Sequence, residues 1–227
     1  MKISIIIFCY NERENVEAVL LDVLAMAQNK FSACEIIVVD DGSTDGTQEL
    51  FEKYSSIRYI KHTSNRGIGE ALRTGYEAAT MEYVSAIPGD GQFDVKEFAV
   101  IRPFNFYQFY SFYRPVTNYN LYRKTLTWMN KVFNAYFIGL HLRDVNWIKV
   151  YRREQLDYTQ PQLKSSIVES EICAKLMKSG VRPIEIPSIY HNRKTGEAKG
   201  GSWNTLRKAM AEMVALYSAV HAFHSSK

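Results

Sequence analysis

CEIIVVDDGSTDGT, residues 34–47, is the stretch on which the reading of this chain turns. Cys34–Val39 is a mostly apolar run of strand length. It breaks into carboxylates, hydroxyls and glycines from Asp40 to Thr47, which suits a turn and the N-cap of a following helix. The same pattern stands on either side. Upstream, Ser4–Cys9 is another such run, followed by Tyr10, Asn11 and Glu12, and then by Val16, Val19, Leu20, Val23 and Leu24 at helical spacing. Downstream come a strand at Ile57–Lys61, a helix at Gly69–Ala79 and a strand at Tyr83–Ile87. Buried strands alternating with helices predict an α/β fold with a mostly parallel sheet and right-handed crossovers. Ligands bind such sheets beyond the carboxyl ends of the strands, so the polar loops at Tyr10–Glu12, Asp40–Ser43 and Gly89–Gln92 are expected to share one site.

After Asp94 the rhythm changes. Phe104–Tyr113 holds seven aromatics in ten residues, which suits a strand buried on both faces or one lining a groove. A helix over Tyr119–Phe137, a strand at Trp147–Tyr151, a helix at Glu169–Ser179 ended by Gly180 and a strand at Pro183–Ile189 are expected next. The stretch His191–Gly201 reads as a mobile basic loop. The chain closes on an amphipathic helix with Leu206, Met210, Met213, Val214, Tyr217 and Val220 on one stripe.

The 227 residues, 46% hydrophobic, suffice for a sizeable core. Three cysteines, Cys9, Cys34 and Cys173, are an odd number at long spacings; this argues against a disulfide framework or a CxxC metal site and fits a reducing, cytosolic setting. The opening apolar run is too short and too β-branched for a signal peptide. Met210–Phe223, the longest candidate span, contains Glu212 and His221 and falls short of the roughly 18 apolar residues of a membrane helix. The charge is divided: residues 1–100 carry 9 Lys+Arg against 16 Asp+Glu, and residues 101–227 carry 19 against 8. Acids in the first half suit a cation and sugar or ribose hydroxyls, and a basic second half suits phosphate or an anionic membrane surface. Solvated faces of differing sign are the plainer explanation of the same numbers.

Cys9-Tyr10-Asn11-Glu12, then Val38-Val39-Asp40-Asp41-Gly42-Ser43-Thr44-Asp45-Gly46-Thr47, then Asn65-Arg66-Gly67-Ile68-Gly69, then Gly89-Asp90-Gly91-Gln92 resemble the ordered motifs of glycosyltransferase family 2, with the GT-A fold. Further along, Arg114, Arg123, Asp144 and the Arg193-to-Lys199 stretch resemble its polyprenyl-phosphate branch, typified by dolichyl-phosphate mannose synthase. The resemblance implies one continuous domain, residues 1–100 binding a nucleotide sugar and residues 101–227 binding the acceptor and ending in the amphipathic helix. It also implies inverting transfer of a sugar from a nucleotide diphosphate to a polyprenyl phosphate, by a cytoplasmic protein with peripheral attachment or a membrane partner left open. No nucleic-acid partner is expected.

The motifs divide the work. Tyr10, Glu12, Asp40, Asp41, Arg66 and Gly67 are the nucleotide-binding candidates: the three acids because a base and a ribose need directional acceptors rather than bulk charge, Gly67 because a glycine lets backbone approach a ligand, and Arg66 as a group to face the diphosphate, with surface exposure the alternative. Asp40 and Asp41 can alternatively serve only the turn and its cap. The family's metal motif is Asp-x-Asp; here Pro88 stands at its first position, which leaves Asp90, with Gln92 as a second oxygen ligand, for Mg²⁺ or Mn²⁺. A metal-independent site is the alternative. Asp94 is expected to cap a helix. Arg114, Arg123, Arg193 and Lys199 are candidates to hold an acceptor phosphate, and Asp144 joins Asp90 as a catalytic candidate. A phosphate acceptor needs positioning, whereas a sugar hydroxyl needs a general base, for which Asp144 or Glu169 is the choice. Two rival functions remain: transfer to a saccharide hydroxyl in cell-surface polysaccharide synthesis, and a non-catalytic nucleotide-sugar-binding subunit, motivated by Pro88 and by Phe8 in place of the family's usual proline.

Overall fold

A computed structural model describes residues 1–115, 128, 131–165, 167–191 and 203–223, with side chains of the last segment described from residue 212. The first half alternates as expected: β1 (Lys2–Cys9), α1 (Val16–Lys30), β2 (Ala33–Asp40), α2 (Thr47–Phe51), β3 (Arg58–Lys61), α3 (Ile68–Ala78) and β4 (Tyr83–Pro88). A 3₁₀ turn at Val95–Val100 follows, and Asp94 caps it by accepting from the Lys96 N–H at 2.9 Å. Then come β5 (Gln108–Tyr113), a π-helical turn at Asn134–Ile138, β6 (Lys149–Arg152), α4 (Arg153–Thr159), α5 (Val168–Lys178), β7 (Arg182–Pro187) and α6 (Trp203–Ala222).

All seven strands form one sheet in the order β3-β2-β1-β4-β6-β5-β7. The first four are mutually parallel, β6 runs antiparallel to both β4 and β5, and β5 pairs parallel with β7. β1 lies inside the sheet and is buried on both faces, which is why Ile5, Ile6 and Ile7 form a continuous apolar run rather than an alternating one. Strand order reverses between β3 and β4, so right-handed crossovers put α3 on the face opposite α1. Six strands therefore present their carboxyl ends, and β6 its amino end, along one edge.

The second half departs from expectation in several places. β5 is buried on both faces, as its aromatics require, but Phe104–Tyr107 lies outside the strand. β6 begins at Lys149 rather than Trp147, and β7 ends at Pro187. Helix α4 has no counterpart in the sequence reading: it is short and largely polar, and is anchored by a buried amide, Gln155, whose Nε2 donates to the carbonyls of Phe106 (2.6 Å) and Gln108 (2.8 Å). Most of the expected helix 119–137 lies outside the described residues, as do Arg123 and residues 192–202, which include Arg193 and Lys199. On α6, Leu216 and Val220 are buried, but Val214 and Tyr217 face solvent, so the expected single stripe is divided. Among the described residues, no helix is long and apolar enough to cross a membrane.

Candidate functional site

Strand register gathers the first set of candidates. Cys9 pairs with Asp40, and Phe8 with Pro88, so β1, β2 and β4 end side by side. The loops leaving them are then joined: the Asp41 N–H donates to the Cys9 carbonyl, the Asn11 N–H to Ser43 Oγ, the Thr44 N–H to Asn11 Oδ1 and the Gly89 N–H to the Phe8 carbonyl, all at 2.8–2.9 Å. Asn11 takes a left-handed conformation (φ 53°) to make its side-chain bond. Burial pushes the Cys9 thiol well above its usual range, with the charges of Asp40, Glu12, Asp45 and Asp41 adding to the effect. That thiol is an inert apolar filler around which the acids cluster.

Asp40 and Asp41 are both buried, and the protein itself uses their oxygens. Asp40 accepts from the Ser43 N–H (2.7 Å) and the Tyr59 hydroxyl (2.6 Å). Asp41 accepts from His62 Nδ1 (2.7 Å) and from the backbone N–H groups of Arg66 (2.9 Å) and Gly67 (2.8 Å), so it fastens the loop after β3 to the loop after β2. The turn-forming role left open for these acids is therefore present. His62 was missed by sequence reading, because nothing in a lone histidine after a strand points to a buried partner 21 residues away. Glu12 is half-buried, and its Oε2 accepts from Asn15 Nδ2 at 3.0 Å. Tyr10 is half-buried at the end of β1, and the Arg66 side chain is exposed. Gly42 lets the loops close: its φ is +78°, and a Cβ there would stand 2.5 Å from the Ser64 carbonyl carbon. Gly42→Ala is expected to cost roughly 3 kcal/mol, read as a lowered urea midpoint, since strain and a backbone clash act together.

Pro88 is explained by its place in the ladder. The Gly89 N–H makes the bond to Phe8, so the missing donor of Pro88 points toward β6, where pairing with β4 has already ended at Ser85. Asp90 is 6% exposed and accepts from the Gln92 N–H at 3.0 Å. The Gln92 side chain donates through Nε2 to the Tyr190 hydroxyl at 2.5 Å, which leaves its amide oxygen as an acceptor. One carboxylate and one amide oxygen suit a hard divalent ion that completes its shell with water and substrate phosphate. Among the described residues, no group of three His, Cys, Asp or Glu side chains could hold a metal without such help.

The other half of the edge is built around Arg114, just beyond β5. Its Nε donates to Asp144 Oδ2 (2.7 Å) and its Nη2 to Oδ1 (3.1 Å), a two-point ion pair largely out of solvent. The guanidinium lies 4.4 Å over the Trp147 ring and 5.6 Å from that of Tyr190. Lys149, also buried, donates to the carbonyls of Asp144, Val145 and Trp147 at 2.8–3.1 Å and so shapes the loop that carries Asp144. Tyr190 touches both halves, meeting Arg114 and Trp147 with its ring and Gln92 with its hydroxyl; a bridge from Phe93 to Tyr190 closes the seam. Trp147, Lys149 and Tyr190 escaped the sequence reading, since aromatics and a strand lysine carry no positional signal by themselves.

Two expectations change. Asp144 was a catalytic candidate, yet its oxygens accept from Arg114 Nε, Arg114 Nη2, the Arg114 N–H (3.4 Å) and the Asn146 N–H (3.2 Å). Four donors meet the roughly four acceptor sites of a carboxylate, so in this structure the Asp144 oxygens are engaged with Arg114 and Asn146. Glu169, the alternative base, stands in the first turn of α5 and is buried between the hydroxyls of Tyr76 and Tyr151.

A family model described as "Glycosyl transferase family 2" matches residues 4–155. The poly-beta-1,6-N-acetyl-D-glucosamine synthase of Staphylococcus epidermidis is 36% identical over 95 residues, 40% of this chain and 22% of that protein. The synthase of the same name from Staphylococcus aureus is 36% identical over 91 residues, 39% of this chain and 21% of that protein. The matched stretch thus spans about a fifth of the length of these curated relatives. Among solved structures, glucosyl-3-phosphoglycerate synthase from Mycobacterium tuberculosis in complex with Mn²⁺ and UDP-glucose superposes with a TM-score of 0.67 at 18% identity, over 99% of this chain and 80% of that one. The same enzyme with Mn²⁺, UDP and phosphoglyceric acid gives 0.66 at 17%, over 99% and 80%. At that identity the likeness is one of fold.

Proposed function

The chain belongs to glycosyl transferase family 2, and from that premise we propose that it transfers a sugar, with inversion, from a nucleotide diphosphate to an acceptor bearing a phosphate, of the polyprenyl-phosphate kind. The observation that carries this reading is the Arg114–Asp144 pair, stacked on Trp147 and tied through Tyr190 to Gln92 beside Asp90. It puts a planar, permanently charged fork on the acceptor side and an acid with an amide oxygen on the donor side of one strand edge.

The donor half follows from the convergent loops. Glu12 and Tyr10 flank the end of β1, and Asp40 and Asp41 hold the loops that frame a nucleoside; Gly67 closes the frame from β3. Asp90 and Gln92 would hold a divalent ion of the kind present as Mn²⁺ in the structures of the fold relative, which would supply counter-charge to the diphosphate. The Asp90 loop is tied to β1 at Gly89 and, through Gln92, to Tyr190 beyond the end of β7.

On the acceptor side, a phosphate monoester is already anionic and needs orientation more than deprotonation. Asp144, with every acceptor site used, fits that requirement and not the abstraction of a hydroxyl proton. Arg114 and Asp144 together are neutral, so excess positive charge for the acceptor falls to Arg123, Arg193 and Lys199. The second reading, transfer to a saccharide hydroxyl, is favoured by a different observation: the matching curated relatives are synthases of a polysaccharide. Steady-state transfer from a panel of uridine and guanosine diphosphate sugars, with Mn²⁺, to a short-chain polyprenyl phosphate and to an N-acetylglucosamine oligomer separates the two. Product on the lipid phosphate alone is expected. Product only on the oligomer overturns the acceptor assignment, and nucleotide binding without transfer to either marks a binding subunit.

A further inference from the structure

We infer that His62 is a positioning residue for the donor half of the site, acting through Asp41 to hold the segment between β3 and α3 in place. His62 follows β3 and is buried, whereas the next residues, Thr63, Ser64, Asn65 and Arg66, are exposed. One carboxylate closes this segment. Asp41 Oδ1 accepts from His62 Nδ1 at 2.7 Å, where the segment begins, and from the Arg66 N–H at 2.9 Å, where it ends; Oδ2 accepts from the Gly67 N–H at 2.8 Å. The segment is thus clasped at both ends on a single side chain.

The chemistry of the clasp fixes the ring. An ionised carboxylate only accepts, so Nδ1 carries a proton, and in the neutral imidazole Nε2 accepts from Thr74 Oγ1 at 2.9 Å. Thr74 belongs to α3, and beside it Gly75 presses the helix onto β1: a Cβ there would stand 2.4 Å from Ile6 Cγ2. His62 is itself tied to the sheet, since its N–H donates to the Asp40 carbonyl at 2.8 Å. A ring held at both nitrogens and at its own backbone cannot turn. The two backbone partners of Asp41 lie on the segment that has to be held and so cannot orient the carboxylate by themselves; His62 supplies the fixed reference. The consequence rests on the donor assignment made above: a loosened segment should weaken nucleotide binding and leave the acceptor side alone.

The test compares the full wild-type chain with His62→Leu, His62→Asn and Thr74→Val. Titration calorimetry with UDP and with GDP, in Mn²⁺, reads the donor site; amide exchange over residues 63–67 reads the clasp. His62→Leu should bind the preferred nucleotide about tenfold more weakly, the loss expected of one hydrogen bond to a charged group, with donor KM raised, acceptor KM unmoved and exchange over 63–67 accelerated. His62→Asn puts an amide N–H where Nδ1 stood and should recover most of the affinity and the protection. Thr74→Val, which frees the ring but keeps its bond to Asp41, should lose less than His62→Leu. A histidine that merely fills space predicts the opposite order, with the apolar Leu better tolerated than the smaller, polar Asn. That order, or undiminished affinity and protection in His62→Leu, overturns the inference. If His62→Leu does not fold, loss of protection over 63–67 in His62→Asn overturns it equally. Wild type that binds neither nucleotide sinks the proposed function instead, and the clasp is then judged on exchange alone.

Discussion

Asp90→Ala is expected to lower turnover by about 10²–10³-fold, the cost typical of removing one group that stabilises charge developing on a leaving oxygen. Asp90 stands alone where two acids are usual for this family's motif, so no neighbour takes over its share. Within its own loop Asp90 caps the Gln92 N–H, a turn contact of the kind whose loss costs about 1 kcal/mol, so the fold should survive. Turnover is to be followed against Mn²⁺ concentration in both proteins. A variant that keeps wild-type turnover and its Mn²⁺ dependence removes Asp90 from the site. Gln92→Leu should show a smaller loss of the same kind, since it removes the amide oxygen and also releases Tyr190.

The second large effect concerns Arg114. Arg114→Lys keeps a positive charge but loses the two-point contact with Asp144 and the stacking on Trp147. The KM for a phosphate acceptor should rise about 10²-fold with kcat changed far less, the pattern of lost ground-state positioning. Asp144→Asn gives the decisive comparison. A positioning residue predicts a rise of about tenfold in acceptor KM, no change in the shape of the pH–rate profile and no change in donor KM. If Asp144 were the proton acceptor, kcat itself would fall by 10²-fold or more and the acid limb of the profile would vanish; that result would return the protein to the saccharide-hydroxyl reading.

The donor half was largely legible because its signals are local. A continuous apolar run says buried strand, a polar break says loop, and the parallel-sheet rule says that loops after β1, β2 and β4 meet; the register of Cys9 with Asp40 and Phe8 with Pro88 bears that out. What the residues could not tell was how each carboxylate is spent. Asp41 next to Asp40 looks like a ligand contact from composition, yet three of its acceptor sites go to His62, Arg66 and Gly67. The partners are distant in sequence, and the direction in which a side chain points has no signature in a string of letters. The second half was less legible for a related reason. Its organising contacts, Arg114 on Trp147 and Tyr190, and Lys149 under the 144–147 carbonyls, join separate strands through residue types that are as often core or surface. Helix α4 escaped because one buried glutamine, not an apolar stripe, fixes it, and α6 misled because its apolar positions serve two faces.

The reversal of β6 has a consequence for how such a protein can change. A strand running against its neighbours delivers its beginning where they deliver their ends, so the chain arriving at Lys149 brings Asp144 and Trp147 to the working rim as part of a connector rather than as part of the scaffold. Connectors tolerate insertion and resequencing far better than strands do. On the function proposed above, selectivity for what receives the sugar can therefore drift through residues 139–148, while the loops after β1, β2 and β4, bonded to one another through Asn11, Ser43, Asp41 and Gly89, have less freedom to change.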